Sequence, residues 1–141
     1  MSRFLDPLET VSLVPGKVWM LLKEFRYESD LIGSTITVPS GFKTDFASVP
    51  RVPLAYLVGG GIGDDAAVIH DYLYQTHQTI HRKTVDQVFY EALLVLGISQ
   101  WRARTMYQSV RWFGQHAWDV SYLRYASLQG AGKAYMENHI V

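Results

Sequence analysis

An α+β fold, with a small N-terminal antiparallel β-sheet packed on a three-helix C-terminal half, is predicted by three observations. Apolar and polar residues alternate in stretches between residues 18 and 38. Apolar residues recur at three- and four-residue steps between residues 63 and 115. Three prolines, Pro39, Pro50 and Pro53, punctuate the passage from one pattern to the other. Strands first and helices afterwards, in a chain of 141 residues, give one domain with the two kinds of element segregated.

The first 15 residues carry little pattern, but residues 11–14 are a short run ended by Pro15 and Gly16 and read as a strand. Residues 18–27 put Trp19, Leu21, Phe25 and Tyr27 on one side and Glu24 and Arg26 on the other, with Lys23 the exception. They read as one half-buried strand. Residues 34–38 alternate Thr35 and Thr37 with Ile36 and Val38, then run into Pro39, Ser40 and Gly41. Proline second and glycine fourth in a four-residue turn suit type I geometry, so residues 41–46 are expected to return as the partner strand. Residues 48–62 are the crossover, extended because a residue before proline is pushed away from helical angles, and they end in the glycine loop Gly59, Gly60 and Gly61.

In the first helix Ala66, His70, Leu73, Tyr74 and His77 share the inward side. A turn over about residues 76–82 leads to the second, whose stripe is Val85, Phe89, Ala92, Leu93 and Leu96. Gly97 ends it, and Ser99 is placed to cap a third helix that reaches about Gln115. Ala103, Met106, Tyr107, Val110, Phe113 and Gly114 form its packing stripe, and Arg104, Gln108, Arg111 and Gln115 another face. Residues 118–141 are aromatic, contain Gly130 and Gly132 and show no clean period. They are expected to form an arm that packs on its own domain or on a neighbour.

Composition narrows the function classes. Thirteen basic residues balance thirteen acidic ones, so no global charge draws the chain to nucleic acid. The absence of cysteine removes disulfides and thiolate chemistry. No apolar run is long enough for a transmembrane helix, and no signal peptide is expected.

The candidate chemistry lies in the helical hairpin. His70 falls on the apolar stripe, so a buried imidazole is expected; Asp86 sits at the edge of the next stripe, and a short turn makes the two helices antiparallel neighbours. Such a pair is either a structural hydrogen bond or a general base held in one tautomer by its carboxylate. Asp71, about 100° further round the helix, can face the glycine loop, where carbonyls and a carboxylate would suit Ca²⁺. The bland counterpart is a connector followed by a helix start, with Asp64 and Asp65 set against the helix dipole. Asp45 in TDFASVPR can reach the same centre or cap its own turn. Ser48 would complete a Ser, His, Asp set, but the glycine elbow expected around such a nucleophile is missing. His70, His77 and His81 have partial metal spacing, yet His81 falls in the turn and no HExxH is present. Arg104 and Arg111 can bind phosphate or carboxylate, or pair locally.

HDYLY, followed sixteen residues after its His by the Asp of VDQVF, resembles the secreted and parvoviral phospholipase A2 pattern. The resemblance implies His70 as base on water, Asp86 as its orienter and Tyr74 as a supporting hydroxyl. It implies Asp71 as Ca²⁺ ligand, with Gly59, Gly60 and Gly61 as the calcium loop. The glycine-to-His and His-to-Asp intervals are both shorter than in that family. A longer resemblance, over roughly residues 19–118, rests on GFKTDFASVPR, AAVIHDYLY, VDQVFYEAL and MYQSVRWFGQHAW. These strings are similar to an uncharacterised family common in tailed bacteriophages and prophages, a domain of unknown function. It implies a virion-associated protein, at the tail and made in the host cytoplasm, whose C-terminal arm meets other phage structural proteins. That is the expected function; the alternative is a phospholipase A2-like, Ca²⁺-dependent ester hydrolase acting on the host envelope during infection.

Overall fold

The computed structural model describes residues 1–50 and 62–139. The crossover beyond Pro50, with Pro53 and the glycine loop Gly59, Gly60 and Gly61, lies outside the described residues.

Strands β1 (Arg3–Phe4), β2 (Thr10–Val14), β3 (Val18–Leu21), β4 (Phe25–Ser29), β5 (Ser34–Val38) and β6 (Lys43–Thr44) come first. They are followed by α1 (Asp64–Thr76), α2 (Arg82–Val95), α3 (Gln100–Phe113), α4 (Gln115–Asp119) and α5 (Ser121–His139). The expected α+β order is present, with two three-stranded sheets, β1-β4-β5 and β2-β3-β6, where one was expected. All pairs among the described strands are antiparallel.

The alternation over residues 18–27 belongs to two strands in different sheets. The chain leaves β3 at Leu22, which is 52% exposed, and Lys23, the one polar residue on the apolar side, sits in the break. Continuing the strand would have set its ammonium among Leu21, Phe25 and Tyr27, all fully buried. The hairpin partner is also different: β5 pairs with β4, Tyr27 opposite Ile36, while β6 pairs with β3. Gly41 N and Leu21 N hold that return, donating to Leu21 O and Phe42 O at 2.8 and 2.9 Å. The turn is closed by Phe42 N donating to Pro39 O at 3.2 Å, one residue later than the proline pattern suggested. Gly41, third in that turn, has φ +86°, the angle a type II turn requires there.

The stripes of α1 to α3 are buried largely as predicted. Ala66, Ile69, Leu73, Tyr74, Val85, Phe89, Leu93, Ala103, Met106 and Val110 join Leu21, Phe25, Tyr27 and Val38 in one core. Phe113 departs from its expected place on the stripe and is 70% exposed at the end of α3. Ser99 holds the cap position of α3 but makes no side-chain cap hydrogen bond. The expected irregular arm is helical, in α4 and α5, so the C-terminal part has five described helices rather than three. No proline follows Pro53 to stop a helix, and a glycine in a helix interior costs only about 1 kcal/mol. Glu91 on α2 ties the helices to the sheet, its carboxylate accepting from Tyr27 Oη (2.7 Å), Ser29 Oγ (2.7 Å) and Leu31 N (3.0 Å).

Candidate functional site

Two carboxylates organise the centre, one on each side of α1. The turn after α1 is tight: His77, Gln78 and Thr79 all take positive φ (58°, 49° and 59°), and α2 restarts within a few residues alongside α1. This brings His70 and Asp86 together as the helical spacing predicts. His70 Nε2 lies 2.7 Å from Asp86 Oδ1, with both side chains fully buried. The imidazole packs between the rings of Tyr74 and Phe89, at centroid distances of 4.2 and 4.8 Å. Tyr74 also takes its expected supporting place, its hydroxyl donating to Asp86 Oδ1 at 2.7 Å.

The other oxygen of Asp86 faces two arginines. Arg111 Nη1 donates to Oδ2 at 2.7 Å and Arg82 Nη1 at 3.4 Å, while Arg82 also donates to the carbonyls of Val110 and Arg111. Burial pushes the Asp86 carboxyl up, but the hydrogen bonds from His70, Tyr74 and Arg111 hold it below the usual carboxylate range. Tyr74 is driven the opposite way by burial and by Asp86 and stays a phenol donor. An ionised Asp86 is an acceptor only, so in its neutral form the imidazole donates from Nε2 and leaves Nδ1 as acceptor. On that side stands Ser48 Oγ, at 3.0 Å from Nδ1. Ser48, His70 and Asp86 therefore form a continuous line despite the missing glycine elbow. The turn that delivers Ser48 holds Phe46 at φ +56°, an angle disfavoured for a bulky residue.

The glycine loop that the calcium reading sets opposite Asp71 lies outside the described residues. The Asp71 carboxylate is fully buried and accepts from Thr44 Oγ1 (2.6 Å), Gln75 Nε2 (2.8 Å), Ser48 N (3.3 Å) and Arg124 Nη2 (2.7 Å). Burial raises its pKa; the Arg124 charge and the bonds from Thr44, Arg124 and Ser48 outweigh this and hold it below the usual carboxylate range. Arg124 and the Ser48 amide take one carboxylate oxygen and Thr44 and Gln75 the other, so the Asp71 side chain in this arrangement does not fit a Ca²⁺ ion. Asp45 joins the Asp71 half of the centre. Its Oδ1 accepts from Ala47 N at 3.0 Å, the local turn use, and from Arg124 Nη2 at 2.5 Å. Among the described residues no group of three or more His, Asp or Glu is placed to hold a metal. His77 instead stacks on Trp118, with centroids 3.6 Å apart and planes within 4°, and approaches Ser121 Oγ at 2.9 Å.

Sequence reasoning missed Arg82, Arg124, Thr44 and Gln75 as members of this centre. Arg82 had a signal, since it precedes Asp86 by one helical turn. Gly114, already on the predicted packing stripe, closes α3 on the site: a Cβ there would press on the Val110 carbonyl and lie 2.5 Å from the Tyr74 hydroxyl. Arg124 had no signal, because it lies in the stretch without a period. Of the predicted polar face on α3, Arg111 turns in to Asp86 and Gln115 begins α4, donating to Asp119.

Comparison with known proteins places this site in context. The chain is 31% identical over 103 residues to the uncharacterized protein y4jT of Sinorhizobium fredii, a match covering 71% of this chain but 30% of that protein's length. No solved structure matches. A family model described as protein of unknown function (DUF1353) matches residues 19–110, which include Ser48, His70, Asp71, Tyr74, Arg82 and Asp86, and the chain belongs to that family.

Proposed function

We propose that this chain is a hydrolase of carboxylic esters, with His70 as general base, Asp86 as the carboxylate that orients it and Ser48 as the nucleophile. The observation that carries this reading is the line Ser48 Oγ, His70 Nδ1, His70 Nε2, Asp86 Oδ1, with contacts of 3.0 and 2.7 Å. As Ser48 Oγ attacks the ester carbonyl, its proton passes to Nδ1, and Asp86 stabilises the imidazolium. Collapse of the tetrahedral adduct expels the alkoxide, which takes that proton. Water, deprotonated by His70, then attacks the acyl group on Ser48, and the imidazolium returns the proton to Ser48 Oγ as the acid leaves. Ser48 is 1% exposed and His70 0%, so turnover in this reading requires the turn carrying Ser48 to open and should be slow. Nothing in the scheme calls on a metal.

The test is an ester panel, short-chain nitrophenyl esters and phospholipids, with wild-type protein and variants of verified fold. Ser48→Ala and His70→Gln should each lose about 10²- to 10⁴-fold in kcat/KM. Full activity in Ser48→Ala with loss in His70→Gln would replace the serine by an activated water; turnover unchanged in both, or none in the wild type, would overturn the reading.

A second reading, a virion-associated tail protein in which this centre is purely structural, is favoured by one observation. His70, Asp71 and Asp86 are all at 0% exposure, and two arginines already saturate Asp86. The family resemblance supplies its phage setting, and the aromatic side chains Tyr122 and Tyr125, exposed on α5, would meet neighbouring subunits. It predicts stoichiometric copies of the chain in purified particles, measured by mass spectrometry; particles lacking it would exclude the role.

A further inference from the structure

The outward side of α3 carries a feature that neither the core nor the His70 centre uses. Trp101 and Trp112 are 62% and 73% exposed, and Phe113 next to them 70%. Eleven residues are close to three helical turns, so the two indoles project from the same side of α3, about 16 Å apart along its axis. Between them Arg104, Thr105, Gln108 and Ser109 line a shallow groove that both indoles border. At the Trp101 end, Leu94 and Val95 are also exposed, and the Arg102 guanidinium lies over the Trp101 ring at 5.3 Å.

Charge distinguishes this face from an ordinary apolar patch. Between Glu91 and Asp119 the sequence has no acidic residue, while it has Arg102, Arg104 and Arg111. Arg111 is turned inward to Asp86, which leaves Arg102 and Arg104 as the arginines of the outward face. Indoles flanked by arginines, on a stretch of sequence without a carboxylate, match the boundary of an anionic bilayer, where a ring sits at headgroup level and a guanidinium meets phosphate. Other occupants fit less well. A second copy docked by a two-fold axis would set arginine against arginine. A nucleic-acid strand needs a basic track along its backbone, whereas this chain is neutral overall and its positive charge here is confined to one helix face. Among the described residues no helix is long and apolar enough to cross a membrane, so the contact would be peripheral.

We propose that the outward face of α3, through Trp101, Arg102, Arg104, Trp112 and Phe113, docks on anionic lipid surfaces. The inference rests on different residues from the ester-hydrolase reading, and vesicle binding is read without turnover, so either can fail alone. The experiment is co-sedimentation of the full chain with vesicles of phosphatidylcholine alone and of phosphatidylcholine with one quarter phosphatidylglycerol. Binding should be at least tenfold tighter to the anionic vesicles, with a blue shift of tryptophan emission. Arg102→Gln and Arg104→Gln should each weaken it about fivefold. Trp101→Ala with Trp112→Ala should weaken it tenfold or more and remove most of the shift, with circular dichroism and unfolding midpoint unchanged. Absent binding, equal affinity for the two vesicles, tighter binding to a single-stranded oligonucleotide, or a dimer dispersed by the tryptophan changes would each overturn the proposal.

Discussion

Asp86→Ala is expected to destabilise the protein by about 3–5 kcal/mol, the usual result of removing one partner from a buried charge cluster. That is a large part of the roughly 5–15 kcal/mol by which a domain is stable, so the melting temperature should fall by on the order of 10 °C or more. The size follows from what the carboxylate holds. His70 and Tyr74 share one oxygen, and Arg111 and Arg82 share the other. Without it, His70 and Tyr74 lose their acceptor, Arg111 loses its carboxylate, and Arg82 keeps only the Val110 and Arg111 carbonyls. Asp86→Asn separates charge from shape: its amide oxygen can still accept from His70 and Tyr74, but its NH₂ would confront the Arg111 donor. It should therefore remain well below the wild type in urea titration. Added salt should change the difference little, because the cluster is shielded from the ionic atmosphere. An Asn variant as stable as the wild type would mean that charge does not hold α1, α2 and α3 together here.

The part of this centre that the sequence made legible is the part built by periodicity. His70, Tyr74 and Asp86 lie on or beside apolar stripes, and a short turn leaves two helices little freedom but to face each other. Ser48 was harder to place. Its residue type was visible, but its approach to His70 depends on the turn that carries Phe46 at positive φ, and nothing in the local pattern announces a bulky residue in that conformation. The partners of Asp71 were not legible because a helical wheel gives a direction and not a partner. Asp71 does leave the His70 side of α1, but towards Thr44 and Arg124. Strand extent and pairing departed from expectation for a related reason: alternation continues through residues 21–25 although the strand does not, and which strand pairs with which is decided by packing beyond any local window. The helical arm escaped because only Ser121 and Leu128 are buried over residues 121–130, too few to set a period.

One contact of that arm, Arg124 on Asp71, should be worth as much as the Asp86 cluster, and its pH dependence gives it a distinct signature. In the wild type the folded-state pKa of Asp71 is depressed. The corresponding stability is present above the ordinary carboxylate pKa of about 3.9 and is lost as pH falls through the lower folded value. Arg124→Met keeps most of the aliphatic packing and removes the charge. Asp71 then keeps Thr44, Gln75 and the Ser48 amide but has lost its ion pair, so at pH 7 the variant should be less stable by about 3–5 kcal/mol. Without the guanidinium, burial becomes the dominant influence and raises the carboxyl pKa, so the sign reverses. The variant's penalty applies when Asp71 is ionised and should shrink as the pH is lowered from 7 towards 4. Adding Asp71→Asn to Arg124→Met should recover much of the loss at pH 7, and the coupling in that double-mutant cycle measures the pair directly. Urea unfolding at pH 4 and 7 decides the matter. If Arg124→Met loses less than about 1 kcal/mol, or its deficit is the same at both pH values, then Arg124 is not the counter-charge of Asp71 and α5 is held by its apolar contacts alone.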